Sequence, residues 1–377
     1  MRKLRIIQVV NVRWFNATAW YGLFLSRLLK EAGHEVLVLG LGGTESFAKA
    51  EAWGLKPKSL PLNSRRPWKA WGLWRSLRRV VREFKPDLVN CHRGESFALW
   101  ALVKYMEGGF ALVRTRGDQR PPRNDIFNRL LHTRSADILI VSNTATADIF
   151  LDYFNANPER VFTITGGVDT GVFYPDAEAG RVARTSLGWG PEDFVVGLLG
   201  RLDPVKGHEI LIKALGRLKN RLKERFNCKF LCLGMDSEMS EADVKRLCRE
   251  SGIENNVVVT GRVDDVRAWL NALDLGVLSS VASEAIARAA LEILACGKPL
   301  LSSDIGVMPD ILPSEFLTPL ADIQALSEAL ERCMLDRDFL ERLRLAGQEA
   351  IKSLRAEDFL ENTLAAYAKA LAAAGRG

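Results

Sequence analysis

The chain has 377 residues, a formal net charge of +6, 47% apolar and 26% charged residues. That length exceeds what one hydrophobic core usually serves, so two domains are expected, and the composition is that of an ordinary soluble globular protein. No apolar run reaches the eighteen or so residues of a membrane span, and the N-terminus shows no signal-peptide pattern. The six cysteines sit among apolar neighbours without metal-site spacing. Cys228 and Cys232 come nearest, but they share a strand-like run where packing is the better reading; reduced thiols in a cytoplasm fit best.

In chain order, Leu4 to Val10 reads as a strand, and Trp20 to Ala32 carries helical periodicity closed by Gly33. Val36 to Gly40 is a second strand. A basic helix is predicted over Trp68 to Phe84, stopped by Pro86, and Asp87 to Cys91 follows as a strand. Ala111 to Thr115, Ile138 to Ser142 and Val161 to Thr165 are further short β-rich runs. Short apolar strands separated by helices imply a parallel, doubly wound sheet. Gly166 to Pro175 is marked by Gly and Pro and fits a hinge.

The pattern then restarts. Phe194 to Leu199 is a strand, a helix runs from His208 to about Arg221, and Phe230 to Leu233 is a strand. Val257 to Thr260, Leu275 to Leu278 and Pro299 to Ser303 complete a second parallel set. The expected architecture is α/β with two Rossmann-like domains facing a central cleft, ligand lying at the carboxyl ends of the strands. Residues 1–165 form the first domain, 166–175 the linker and 176–356 the second domain. A C-terminal helix over about 357–377 is expected to pack back on the first.

Charge is divided unevenly between the halves. Residues 1–165 hold 26 Lys/Arg against 14 Asp/Glu, a net +12, and the remainder holds 26 against 32, a net −6. The first half therefore suits an anionic partner: an acidic acceptor, a lipid surface or nucleic acid. Its basic residues do not alternate with aromatics and no nucleic-acid motif appears, so nucleic acid ranks last.

Two constellations carry chemistry. Gly200-Arg201-Leu202-Asp203-Pro204-Val205-Lys206-Gly207 follows the first strand of the second half. Gly200 allows a tight turn and Gly207 a close helix start, and Arg201 and Lys206 there would neutralise a diphosphate without a metal. The second is Glu284 and Glu292, eight residues apart in an Ala-rich segment expected to be helical from Ser283 onward. Eight residues rise about 12 Å and turn about 80° beyond two full turns, so both carboxylates could address one cleft wall. Asp336-Arg337-Asp338 looks like a metal motif but lies in a charged helical segment and reads as solvated surface; no metal is expected.

These motifs resemble the retaining GT-B glycosyltransferases, above all the large family 4. The resemblance rests on Gly166-Gly167-Val168-Asp169-Thr170 with Phe173 and Pro175, Gly200 to Gly207, and Gly261-Arg262-Val263-Asp264-Asp265-Val266. It continues through the Glu284/Glu292 pair, Ala295-Cys296-Gly297-Lys298-Pro299 and Asp304 to Asp310. It implies that Arg201 and Lys206 bind the diphosphate of a nucleotide sugar and that Glu292 holds the ribose hydroxyls. Glu284 would face the transferred sugar, and backbone near Arg262 and Val263 would cradle the base. Ala285 and Ile286 would shape the sugar pocket, and amides at the start of the helix after Glu284 would supplement the diphosphate site. Leaving-group stabilisation is then the main catalytic task, with no separate catalytic base.

The chain departs from the family at Gly117, where a His is common. His92 or Asp118, each at a strand end, are the candidates to contribute instead. Arg114, Arg116, Arg120 and Arg123 are expected on loops at strand ends, a basic cleft mouth suited to an anionic glycan or glycolipid. The run Arg114-Thr115-Arg116 to Asn124 resembles family members that build lipopolysaccharide. The helix Trp68 to Phe84 has an apolar stripe of Trp71, Trp74, Leu77, Val81 and Phe84, expected to pack on the sheet. Its basic face would be left free for anionic membrane. The chain is thus expected in the cytoplasm, at the inner face of the membrane. A nucleotide-sugar epimerase on the same fold and a non-catalytic nucleotide-sugar-binding protein are the competing readings.

Overall fold

The structure is a computed structural model that describes residues 2–64, 67–118, 120–282 and 284–375, without the side chains of residues 67–69. The expected Trp68 and Ser283 positions therefore fall, in side chain or entirely, outside the described residues. By internal contacts the chain forms two units, Met1–Gly166 with Ala356–Gly377, and Gly167–Arg355.

The first unit opens with β1 (Arg5–Val9), α1 (Ala17–Glu31), β2 (Glu35–Gly40), α2 (Glu45–Ala52) and β3 (Lys58–Ser59). It continues with α3 (Pro67–Phe84), β4 (Leu88–Cys91), α4 (Phe97–Glu107), β5 (Ala111–Arg116) and α5 (Ile126–Leu130). A π-helical turn, Leu131–Ser135, leads to β6 (Ile138–Val141), α6 (Thr144–Asp148) and β7 (Val161–Thr163). The strands form one sheet in the order β3-β2-β1-β4-β5-β6-β7. Every pairing is parallel. Period-2 alternation sends Ile7, Val9 and Leu112 into a core closed by Leu73 and Leu77 of α3 and Phe97 and Trp100 of α4. Val10 and Val38 join Ala19 and Leu23 of α1 and Ala50 of α2 in a separate cluster. Both faces are covered, so the strands read as continuous apolar runs.

The second unit holds α7 (Ala177–Ser186), β8 (Phe194–Leu199), α8 (His208–Leu222), β9 (Cys228–Leu233), α9 (Glu241–Glu250) and β10 (Val257–Val259). After α10 (Val266–Asn271) come β11 (Leu275–Leu278), α11 (Arg288–Ala295), β12 (Leu300–Ser303) and α12 (Met308–Ile311). The two-residue β13 (Leu317–Thr318) precedes α13 (Ile323–Leu335) and α14 (Arg337–Ile351). The strand order is β10-β9-β8-β11-β12-β13, again parallel throughout. Leu211, Leu215 and Leu218 of α8 pack with Leu326 and Leu330 of α13. Leu291, Ile293 and Leu294 of α11 pack with Leu270 and Ile351 in a second cluster.

Every predicted strand is present within two residues of its expected ends. The division between the units falls between Gly166 and Gly167, at the start of the predicted hinge, and residues 167–175 group with the second unit. Val168 N–H donates to Leu354 O at 2.9 Å, and Asn271 Nδ2 donates to Tyr174 O at 3.0 Å. The last helix, α15 (Ala356–Ala373), belongs to the first unit. Its Phe359 ring meets Tyr21 edge-on at 4.7 Å. Its Tyr367 hydroxyl accepts from Gln8 Nε2 at 2.9 Å and Asn90 Nδ2 at 2.8 Å.

Candidate functional site

In the second unit the connections run outward in opposite directions from β8 and β11, which lie side by side. That junction is the topological switch point, where an open parallel sheet leaves a crevice at its carboxyl ends. Both loops that leave it carry candidate residues. After β8, Gly200 to Gly207 turns through a short 3-10 segment, Pro204–Lys206, capped by Asp203 Oδ1 accepting from Val205 N–H at 3.0 Å. Gly207 has φ +70°, and a Cβ there would lie 1.8 Å from Ser279 O. Only glycine fits so close to the loop after β11. Ser279 Oγ donates to Gly207 O at 2.9 Å, and Val281 N–H donates to Val205 O at 2.9 Å. The two loops are stitched into one surface.

At that seam Lys206 Nζ contacts Glu284 Oε1 at 2.5 Å, and Ser280 Oγ donates to the same oxygen at 2.5 Å. Glu284 is buried and Lys206 half-buried. A carboxylate so enclosed needs a cation and donors, and Lys206 and Ser280 provide them. Gly200 lies against the Lys206 stem, where a Cβ would approach within 3.4 Å. Arg201 is largely exposed and reaches Asp203 Oδ2 and Ser237 Oγ, each at 3.3 Å.

The expected helix spanning both glutamates is corrected. α11 begins only at Arg288, and Glu284 to Ala287 precede it in irregular backbone. Ala287 takes the left-handed conformation, φ 45° and ψ 47°, and its carbonyl accepts from Ala290 N–H at 2.8 Å. That residue ends any helix arriving from Glu284 and starts a new one. The loop frees Glu284 to turn toward Lys206, which a straight helix from Ser283 would not. Glu292 sits inside α11, buried, with Arg288 Nε at 2.6 Å one turn away. Burial raises the Glu292 pKa, and the Arg288 cation opposes the shift.

Arg262, exposed, and Val263, half-buried, occupy the loop between β10 and α10, two strands from β8. Ala285 and Ile286 are buried, so their side chains are spent on packing and only backbone is offered there. His208 opens α8, and burial pushes its pKa down to about 4.

In the first unit Asp118 follows β5 and is paired with Arg116 Nη2 at 2.6 Å. His92 follows β4, but its side chain is 1% exposed. Its Nε2 faces Gln8 Oε1 at 2.7 Å, and burial together with the Arg114 cation lowers its pKa to about 3. His92 is therefore a neutral strut beneath α1 and cannot present a ring to a ligand, contrary to expectation. Arg114 and Arg116 are not loop residues either. Both lie within β5 and are buried, Arg114 Nη1 donating to Cys91 O at 2.9 Å. Their guanidinium carbons stand 5.9 Å from the Phe97 ring and 5.6 Å from the Phe150 ring respectively, which shelters the charge against aromatic faces. Arg120 and Arg123 alone of the four are exposed.

Two partners of the candidate carboxylates escaped the sequence reading. Ser280 could have been found as a hydroxyl at a strand's carboxyl end, and Arg288 as the cation one turn before a buried acid. Among the described residues no cluster of three or more His, Cys, Asp or Glu could hold a metal ion.

The family model described as Glycosyltransferase Family 4 matches residues 20–172, and the one described as Glycosyl transferases group 1 matches residues 193–336. Among curated relatives, the D-inositol 3-phosphate glycosyltransferase of Jonesia denitrificans is 24% identical over 267 residues. That match covers 68% of this chain and 63% of the relative, so the chain spans less than two thirds of that protein's length. A glycosyltransferase from Rickettsia africae superposes with a TM-score of 0.85 at 18% identity, covering 98% of this chain and 99% of the other. Anabaena HepE, solved in complex with UDP, gives 0.83 at 19% identity over 96% and 99%. The two matched segments fall on the two parallel-sheet units in turn, and the chain belongs to the family 4, group 1 glycosyltransferases of GT-B fold.

Proposed function

We propose that the protein is a retaining, metal-independent glycosyltransferase that moves a sugar from a nucleoside diphosphate to an anionic glycan or glycolipid. The observation that carries this is the Lys206–Glu284 contact at the β8/β11 switch point, beside the exposed Arg201. Lys206 and Arg201 are suited to the donor's diphosphate. When that anion arrives, Lys206 exchanges its carboxylate partner for phosphate oxygens, and Glu284 is released toward the sugar and its developing positive charge. Glu292, held by Arg288, accepts from ribose hydroxyls. The bond from the anomeric carbon to the diphosphate breaks with its electron pair on the phosphate oxygen. The acceptor hydroxyl forms the new bond on the same face and passes its proton to the departing phosphate. The cations stabilise the charge that grows on the leaving group.

The solved complex of HepE with UDP supports a uridine nucleotide as the first donor to try. The basic first unit supports an acidic acceptor, as does the phosphorylated inositol in the name of the Jonesia relative. Gly117, in place of the family's usual His, favours a non-catalytic nucleotide-sugar-binding protein as the second reading.

Thermal shift with UDP, GDP, ADP and their sugars tests the site, since a ligand raises stability by mass action. Wild type should be stabilised by at least one of them. Lys206→Ala should weaken that ligand about 10- to 100-fold, the worth of charge-assisted hydrogen bonds. An undiminished shift in Lys206→Ala sinks the site assignment. Binding without release of sugar from any donor, with or without acceptor, favours the binding-protein reading over the enzyme.

A further inference from the structure

Lys206 and Ser280 stand opposite one another because the backbone puts them there. The loop after β8 and the arch after β11 are joined twice: Val281 N–H donates to Val205 O at 2.9 Å, and Ser279 Oγ donates to Gly207 O at 2.9 Å. The joined residues are the sequence neighbours of Lys206 in one loop and of Ser280 in the other, which leaves these two between the cross-links. Glu284 meets both from further along the arch, its own carbonyl held by Val307 N–H at 2.9 Å.

The two donors to Glu284 differ in reach. Ser280 is 1% exposed, its hydroxyl on a one-carbon stem. The Lys206 side chain is 27% exposed, and its ammonium rides on a flexible four-carbon stem. An anion arriving from solvent can therefore draw off Lys206 but cannot take Ser280. Both donors meet the same oxygen, Glu284 Oε1, each at 2.5 Å, and Oε2 has no partner among the described residues.

This arrangement decides what an exchange of partners costs. Glu284 is 3% exposed, so without Lys206 its carboxylate becomes a buried charge in need of another donor. Ser280 is the donor that stays within hydrogen-bonding distance.

We infer that Ser280 is a positioning residue for donor binding: it keeps hold of Glu284 Oε1 while Lys206 turns to a diphosphate. The inference rests on the proposed reading of Lys206 as a diphosphate ligand. Glu284 is then a competitor for Lys206 built into the site, and Ser280 allows that competitor to be displaced without being stranded. With Oε1 retained by Ser280, Oε2 is the oxygen presented to the sugar.

Isothermal titration calorimetry of the full chain with UDP, GDP and ADP tests it, the nucleotide that wild type binds most tightly being carried through the series. The series is wild type, Ser280→Ala, Glu284→Gln and the double variant. Ser280→Ala should weaken that nucleotide about tenfold, the lower end of what one hydrogen bond to a charged group is worth. Glu284→Gln should bind at least as tightly as wild type, since a neutral amide competes less for Lys206. Removing the hydroxyl in the Glu284→Gln background should change affinity less than about twofold, because no buried charge is left to support. A loss of folding caused by Ser280→Ala would appear in both backgrounds, so an equal loss in both overturns the inference. Unchanged affinity in Ser280→Ala also overturns it, showing that Lys206 keeps Glu284 while it meets phosphate. Weaker binding by Glu284→Gln than by wild type overturns it too, showing that Glu284 is no competitor. If wild type binds none of the three nucleotides, the diphosphate reading itself fails and takes the inference with it.

Discussion

Glu292 shows how one side chain couples fold to ligand. It is enclosed in α11, where burial favours the neutral acid, and Arg288 at 2.6 Å favours the carboxylate. Around it the other charged or titratable neighbours are the Cys296 thiol, pushed up to about 12 by burial, and beyond that Lys298 and Arg267. Arg288→Gln removes the opposing cation, so Glu292 takes up its proton at a higher pH. On the proposed reading ribose hydroxyls need the carboxylate as acceptor. Nucleotide affinity in Arg288→Gln should therefore fail, as pH is lowered, sooner than in wild type. A titration of affinity against pH checks this, and superimposable profiles would exclude the role. Some of this was legible: the spacing of Glu284 and Glu292 and the two cations after β8 stand in the sequence. The left-handed Ala287 does not. Alanine is the best helix former, and nothing in Ser283 to Ala295 announces a break that costs roughly 1–2 kcal/mol locally. The break is set by tertiary contacts, including Val307 N–H donating to Glu284 O at 2.9 Å.

Among elements, α15 carries an unusual burden. Its Tyr367 hydroxyl is the acceptor for two amides, Gln8 and Asn90, both 0% exposed. Thr115 Oγ1 donates to Asn90 Oδ1 at 2.8 Å and His92 Nε2 meets Gln8 Oε1, so the network ties β1, β4 and β5 to the tail. Tyr367→Phe would strand two buried donors at about 1–3 kcal/mol each. A urea midpoint lowered with unchanged slope would report that loss; no change would mean the network relaxes without it. The strands were readable because short apolar runs between breakers leave little choice. The two-residue edges β3 and β13 were not, having too few residues to show a period. Arg114 and Arg116 were misplaced for a related reason. A charged residue normally ends a strand, yet β5 continues through both because aromatic rings and carbonyls receive their guanidinium groups.

Across the whole molecule the histidines act in concert. The chain has four, and burial lowers the pKa of each: His34 in direction, His92 to about 3, His132 and His208 to about 4. An unfolded histidine titrates near 6.5, so between that pH and the folded values the unfolded chain binds more protons and stability rises with pH. Each fully buried histidine can contribute up to about 1.4 kcal/mol per pH unit in that window. The melting temperature should fall steeply from pH 6.5 to pH 4; a level profile across that range would contradict the burial. The division into units bears on how the chain is made. Residues 167–355 are one uninterrupted stretch, whereas the other unit needs both ends of the chain. On the ribosome the second unit can close as soon as it emerges, while the sheet begun by β1 keeps its polar face open. Only when α15 is released does Tyr367 reach Gln8 and Asn90. The part of the protein synthesised first is therefore the last to be sealed.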